Sequence, residues 1–169
     1  MTDAERRETL ERLMLAHGTQ IKRFCTLQLR DAALAEDAAQ EVFVKAWKGL
    51  ASFRAECGEK TWLTRIAVNT CRDYQRTGWF RFMDRSLTPE ELADRSVPDT
   101  FPDETMSQAI AKLPRELRMA VLLRYYEGLT IRETAHALGV CEATAKRRLR
   151  KANALLRNML ERWYSDVYA

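Results

Sequence analysis

Leu129–Ala154 reads LTIRETAHALGVCEATAKRRLRKANA, and its punctuation decides the fold. Thr130 is a natural N-cap, and Glu133 three residues on completes a capping box before the apolar positions begin. Ala135 and Leu138 share one face of the helix so started. Gly139 then supplies the residue that can turn at positive φ. Val140 is expected to pack inward, and Glu142 suits the positive N-terminal end of a second helix. That helix places Ala145 and Leu149 at i and i+4 toward the interior. Lys146, Arg147, Arg148, Arg150 and Lys151 spread around the remainder. A helix pair with a glycine turn, its second helix basic outside and apolar inside, is what docking in a DNA major groove requires. The same residues also permit an ordinary helical hairpin with a solvated cationic surface.

The 169 residues allow one medium domain or two small ones, and 46% hydrophobic with 31% charged residues is an ordinary soluble profile. The net charge of +4 is unevenly spread. Met1–Phe82 carries 14 basic and 11 acidic residues, Met83–Glu104 carries 2 and 7, and Thr105–Ala169 carries 12 and 6. Two basic bodies flank an acidic strip, which points to a polyanionic partner contacted in two places. Cys25, Cys57, Cys71 and Cys141 lie far apart with no C-x-x-C, which argues against a zinc site and against a disulfide framework. Cys25 and Cys71 fall on inward helical positions and are expected as buried free thiols. The charged N-terminus lacks the apolar core of a signal peptide, and no apolar run approaches the roughly 20 residues needed to span a bilayer. A cytoplasmic protein without membrane insertion is expected.

From the N-terminus, Leu10, Leu13, Met14, Ile21, Phe24 and Cys25 recur at three- and four-residue steps and predict a helix near residues 4–30. His17 lies on that face as a packing residue, and Asp31 begins the next turn. Ala33–Leu50 predicts a second helix whose apolar stripe is Ala35, Ala39, Val42, Ala46 and Trp47, with Phe43 and Leu50 at its borders. Asp37, Gln40, Glu41 and Val44 share another side. Spacing alone leaves that side as a solvated face or a docking surface. Ala51–Lys60 reads as a loop, and Thr61 as the cap of a third helix running to about Arg76. Its inward side is Trp62, Leu63, Ile66, Ala67, Thr70 and Tyr74. Arg65, Asn69, Arg72 and Arg76 line the other side, suited to holding phosphates with one amide to read a base edge. Phe53, Trp79 and Phe80 offer stacking surfaces for unpaired bases, or simply core aromatics.

RSLTPEELADRSVPDTFPDE, ending at Glu104, holds three of the four prolines and many acids. It reads as a linker, with a short helical turn at Pro89–Ala93. Periodicity resumes at Thr105 with Met106, Ala109, Ile110 and Leu113. Pro114 suits the first turn of a further helix, Gly128 lies just past its end, and Leu117, Val121, Leu122 and Tyr125 are its inward stripe. The last helix is expected to continue through Leu155, Leu156, Met159, Leu160 and Trp163.

With both halves in view, the chain resembles the extracytoplasmic-function (group IV) sigma factors of bacterial RNA polymerase. AEDAAQEVFVKAW, Ala35–Trp47, is similar to the family's core-polymerase-binding helix, D-x-x-Q-E-x-F, with Asp37, Gln40, Glu41 and Phe43 at the matching positions. FRAECGEKTWLTRIAVNTCRDYQR, Phe53–Arg76, resembles the promoter-melting and downstream-element segment, where a loop captures a base flipped from the non-template strand. Flipping costs a few kcal/mol, offset by a fitted pocket and stacking. The resemblance makes Phe53, Arg54, Trp62, Arg65, Asn69 and Arg72 the candidates there. Leu113–Ala152 resembles the upstream-element domain, with Thr144, Lys146, Arg147, Arg148, Arg150 and Lys151 facing duplex DNA. Three departures stand out. Cys141 replaces a usual serine, Ala143 a usual glycine, and Thr134 and Ala145 replace larger aliphatics. A weaker cap, costing about 1 kcal/mol, and an underfilled helix–helix contact are expected.

The resulting expectation is an all-α chain of two small helical domains, sigma-2-like and sigma-4-like with its helix-turn-helix, joined by an acidic linker. The domains fall at 1–85, 86–104 and 105–169. The resemblance implies core RNA polymerase and promoter DNA as partners, an anti-sigma factor besides, and a role in stress-responsive transcription initiation. No cofactor or metal is expected. A stand-alone helix-turn-helix regulator explains Leu129–Ala154 equally well but leaves Asp37–Phe43 and Arg65–Arg76 as coincidences. An enzyme is disfavoured, because no paired carboxylates at ligand spacing, glycine-rich phosphate loop or nucleophile–base pair stands out.

Overall fold

The computed structural model describes residues 2–54, 56–77 and 104–168. The described residues are helical, joined by short turns, and the chain divides into two compact units, Met1–Leu92 and Ala93–Ala169. The expected turn at Pro89–Ala93, the aromatics Trp79 and Phe80, and all of the acidic strip except Glu104 lie outside the described residues.

The first unit is a three-helix body of α1 (Asp3–Leu29), α2 (Ala32–Gly49) and α3 (Glu59–Arg76), each packed on the other two. Thr2 and Glu5 form a reciprocal capping box that starts α1. Arg30 ends it in the left-handed region at φ 59°, and Asp31 immediately caps α2 by accepting from the Leu34 N–H at 2.9 Å. The core joins Leu13, Ile21, Phe24 and Cys25 of α1, Ala35, Ala38, Val42 and Ala46 of α2, and Leu63, Ala67, Val68 and Cys71 of α3. Cys25 and Cys71 are buried free thiols with their sulfurs 3.8 Å apart, as their inward positions predicted. Arg6 fastens the start of α1 to the end of α2. Its guanidinium donates to the Trp47 carbonyl at 3.1 Å and lies 4.6 Å from the Trp47 ring centroid.

Two expectations in this unit are corrected. The N-cap of α3 is Gly58, not Thr61, and no side chain caps it. Thr61 is a buried position in the first turn, facing the core rather than the helix end. The inward arc of α3 is also broader than a single stripe. It adds Thr64, Val68 and Gln75, while Trp62, Ile66 and Tyr74 are only half-buried. A helix wedged against two neighbours buries more than one side.

In the second unit α4 (Glu104–Ala111) and α5 (Arg115–Val121) pack on α7 (Glu142–Tyr168), as does α6 (Ile131–Leu138). Pro114 caps α5, and seven successive residues, Leu117 to Leu123, are buried. Past Val121 the chain widens into a π segment, Leu122–Tyr126, closed by the Glu127 N–H donating to the Leu122 carbonyl at 2.8 Å. This corrects the expected inward stripe, because the wider turn rotates Tyr125 outward to 59% exposure. The Thr130–Glu133 capping box, the left-handed Gly139 at φ 68° and the inward Ala145 and Leu149 all stand as the motif predicted.

The substituted aliphatic position leaves a mark. Thr134 is fully buried, and its hydroxyl has no hydrogen-bond partner. A buried hydroxyl left unpaired forfeits its hydration without return. Thr134→Val should therefore stabilise the second unit by about 1 kcal/mol and raise its Tm by roughly 4–8 °C, read by circular dichroism melting of the full chain. A Tm at or below that of the parent would show that the hydroxyl is satisfied in solution.

Candidate nucleic-acid interface and docking face

Three surfaces carry the sequence-predicted residues, two on the first unit and one on the second. On α2, Asp37 and Gln40 are exposed and Glu41 is half-buried, one helical turn apart on one side, with Val44 continuing the row at 45% exposure. Phe43 is placed differently: it is buried at 8% exposure and belongs to the core beneath this face. Sequence reasoning missed a neighbour from another helix. Tyr74 of α3 has its phenol pushed up first by burial and then by the negative charges of Asp37 and Glu41, so it borders the same acidic face. No spacing rule within α2 could have found it.

The second surface surrounds the start of α3. Phe53, at the mouth of the loop after α2, and Trp62, in the first turn of α3, meet with ring centroids 4.7 Å apart and planes tilted 34°. Both are half-buried. Gly49 makes room for this, since a Cβ there would lie 3.2 Å from the Trp62 ring. Arg54, Arg65 and Asn69 are exposed and Arg72 is half-buried, so the cationic side of α3 continues outward from the aromatic pair. Arg12 of α1 anchors the base of this helix through two hydrogen bonds to Glu59, at 2.6 and 2.8 Å. The bidentate contact holds the Glu59 carboxyl below its ordinary range.

The third surface is the N-terminal half of α7. Lys146, Arg147, Arg150 and Lys151 are exposed, and none has an ion-pair partner among the described residues. Arg148 is set apart, because its guanidinium donates to Glu116 of α5 at 2.7 Å and is half-buried. The structure thus places four of the five cations outward and turns the fifth into a strut between helices. Thr144 is half-buried, with its hydroxyl 3.3 Å from the Cys141 sulfur. Cys141, expected as a weak cap, does engage the helix start. The Thr144 hydroxyl and then backbone N–H groups lower its thiol pKa.

Among the described residues no cluster of metal-ligating side chains occurs, and no helix is long and apolar enough to cross a membrane. Residues 13–81 match the family model for sigma-70 region 2, and residues 103–156 match that for sigma-70 region 4. The chain is 35% identical over 161 residues to the extracytoplasmic-function RNA polymerase sigma factor SigM of Mycobacterium tuberculosis, covering 91% of this chain and 78% of that one. It is 30% identical to the RNA polymerase sigma-H factor of Pseudomonas aeruginosa, covering 88% and 84%. The sigma factor RpoE of Bartonella quintana, solved with the anti-sigma factor NepR, shares the fold at a TM-score of 0.72 and 21% identity, over 91% and 98% of the two chains. The chain belongs to the extracytoplasmic-function sigma factors, the two-region class of RNA polymerase initiation factors. Its work is therefore promoter-directed transcription initiation with core polymerase, and DNA binding is part of it.

The Cys141 environment yields a solution test. A thiol whose ionised form is favoured by donors reacts at lower pH than a free one. The pH profile of iodoacetamide alkylation at Cys141 should have its midpoint below that of an unstructured thiol, and Thr144→Val should move it upward. Cys71, whose thiol the Cys25 hydrogen bond and then burial push well up, should stay unlabelled in the folded chain. Equal labelling of Cys141 and Cys71 would contradict both assignments.

Proposed function

We propose that residues 1–85 bind core polymerase and the downstream promoter element, residues 86–104 link the two parts as an acidic segment, and residues 105–169 read the upstream element as duplex. In this division Asp37, Gln40 and Glu41 meet the polymerase directly. Phe43 acts from beneath, its ring setting the height of that face on the core. Phe53 and Trp62 provide an aromatic platform at which an unpaired base is held, while Arg54, Arg65, Asn69 and Arg72 engage the adjoining strand. Lys146, Arg147, Arg150 and Lys151 contact phosphates and base edges, with Thr144 at the edge of the groove. Arg148 serves the same surface indirectly, by bracing α7 on Glu116. The observation that carries the reading is the outward set of four cations on a helix whose other side is locked into a capped helix-turn-helix.

The protein itself catalyses nothing on this reading; chemistry belongs to the polymerase. It acts in the cytoplasm, where polymerase and chromosome are. An anti-sigma factor, the kind of partner with which the Bartonella quintana relative was solved, restrains it at rest.

Run-off transcription with purified bacterial core polymerase, from the promoter upstream of this protein's own gene, tests the whole assignment. Initiation should depend on this chain. Duplex binding without core association or initiation would overturn the reading in favour of a stand-alone regulator. Glu41→Lys should weaken core binding about ten- to a hundredfold by placing a cation in an acidic docking face, while duplex affinity stays as in the parent. Alanine at Lys146 or Arg147 should lower the salt dependence of duplex binding by about one unit where a phosphate contact is lost, or relax sequence preference where a base contact is lost.

A further inference from the structure

Tyr125 is a large aromatic that stands mostly in solvent, although the sequence pattern had assigned it to the core. The π segment turns it out, and two contacts then hold it there. Asn153 of α7 donates its amide N–H to the Tyr125 hydroxyl oxygen at 3.0 Å. Arg124 lies 5.8 Å from the Tyr125 ring centroid and is itself fixed, donating to the Leu129 carbonyl at 2.9 Å.

The register of α7 says what this corner faces. Asn153 lies three residues past Arg150, seven past Lys146 and four before Arg157, so these four project from one side of the helix. All four are exposed. The phenol accepts from Asn153 and keeps its own proton, which has no acceptor among the described residues. The corner therefore offers a phenol O–H and the second amide hydrogen of Asn153 as donors beside the Asn153 amide oxygen, and Arg150 and Arg157 flank it along the same side of α7. A hydroxyl donor beside a row of exposed cations fits a ligand that accepts and carries negative charge, which is a backbone phosphate oxygen.

We propose that Tyr125 and Asn153 form a phosphate-contacting shoulder beside the recognition helix, with the Tyr125 hydroxyl donating to a DNA phosphate and Asn153 fixing its position. The proposal rests on the reading of α7 as the DNA-facing helix and extends its footprint onto the π segment that follows α5. A neutral donor adds a contact without releasing a counterion, so its loss has a different signature from that of an arginine.

The test measures binding of the full chain to a fluorescein-labelled duplex of scrambled sequence about three helical turns long, by anisotropy across roughly 50–200 mM salt. A scrambled probe suffices because a phosphate contact is blind to sequence. Tyr125→Phe should weaken binding roughly five- to tenfold with the salt slope unchanged, Asn153→Ala should do the same, and the double variant should lose little more. Arg150→Ala, measured in parallel, should reduce the slope by about one unit. If Tyr125→Phe binds as the parent while Arg150→Ala is weakened, the shoulder is refuted and the reading of α7 stands. If neither changes, the DNA-facing assignment of α7 fails with it. Should Tyr125→Phe lower Tm in step with affinity, the pair is a structural strut and the proposal is wrong.

Discussion

The angle between α6 and α7 hangs on one backbone device, the left-handed turn at Gly139. Its N–H and that of Val140 reach back to the carbonyls of His136 and Ala135, at 3.1 and 3.0 Å, so the last turn of α6 ends with its acceptors occupied. A side chain at φ 68° would cost the turn its geometry even though space is open around it. At the other end of α6 the Thr130–Glu133 box satisfies the first donors, and Arg124 ties the preceding segment to Leu129. An eight-residue helix is too short to be stable by propensity. These end contacts, with Ala135, Ala137 and Leu138 buried against α7, are what fix it. The cationic side of α7 then faces outward because no other side of the helix is free.

The first unit solves the corresponding problem with side chains rather than a turn. Its outward-facing α3 is positioned from three directions. The Cys25–Cys71 contact sets its approach to α1, Lys45 of α2 reaches Asp73 at 3.1 Å and Thr70 at 3.3 Å, and Arg12 grips Glu59 at its start. Exposed ion pairs of this kind contribute little stability singly. Their effect here is positional, since they fix the rotation of a helix whose opposite side presents Arg65 and Asn69. Gly49 has an analogous part, trading a side chain for the close approach that lets Trp62 reach Phe53.

Much of this was legible in the chain because the signals are local. Caps, the glycine turn and the three- and four-residue apolar steps all act within one or two helical turns, and the helices begin and end within a few residues of where those signals lie. What escaped depended on neighbours distant in sequence. Thr61 looked like a cap, yet the cap is Gly58, three residues earlier, and Glu59 in the first turn is gripped by Arg12, 47 positions away. Tyr125 fitted an inward stripe computed at 3.6 residues per turn, and a π segment breaks that period. Phe43 sits on a motif that reads as surface, but at the border of the apolar stripe packing decided its side. Arg148 was indistinguishable from its four basic neighbours until Glu116 was placed beside it. The functional surfaces were thus visible as residue types, while the division between contact and support within each surface was not.

That division bears on stability. Lys146 and Arg150, and Arg147 and Lys151, are like charges at i and i+4, each pair costing a few tenths of a kcal/mol. Glu142 in the first turn offsets part of this, and the Glu116–Arg148 pair removes one cation from the repelling set. The remainder is borne by apolar burial on the opposite side, where Ala145, Leu149, Ala152 and Leu156 are all enclosed. Local preference and global packing agree almost everywhere in this unit and disagree on the outward half-turns of α7. Such a conflict persists where a ligand resolves it. A polyanion laid along that side would turn the mutual repulsion of the four cations into shared attraction, so the segment least at ease in the free protein gains most from binding.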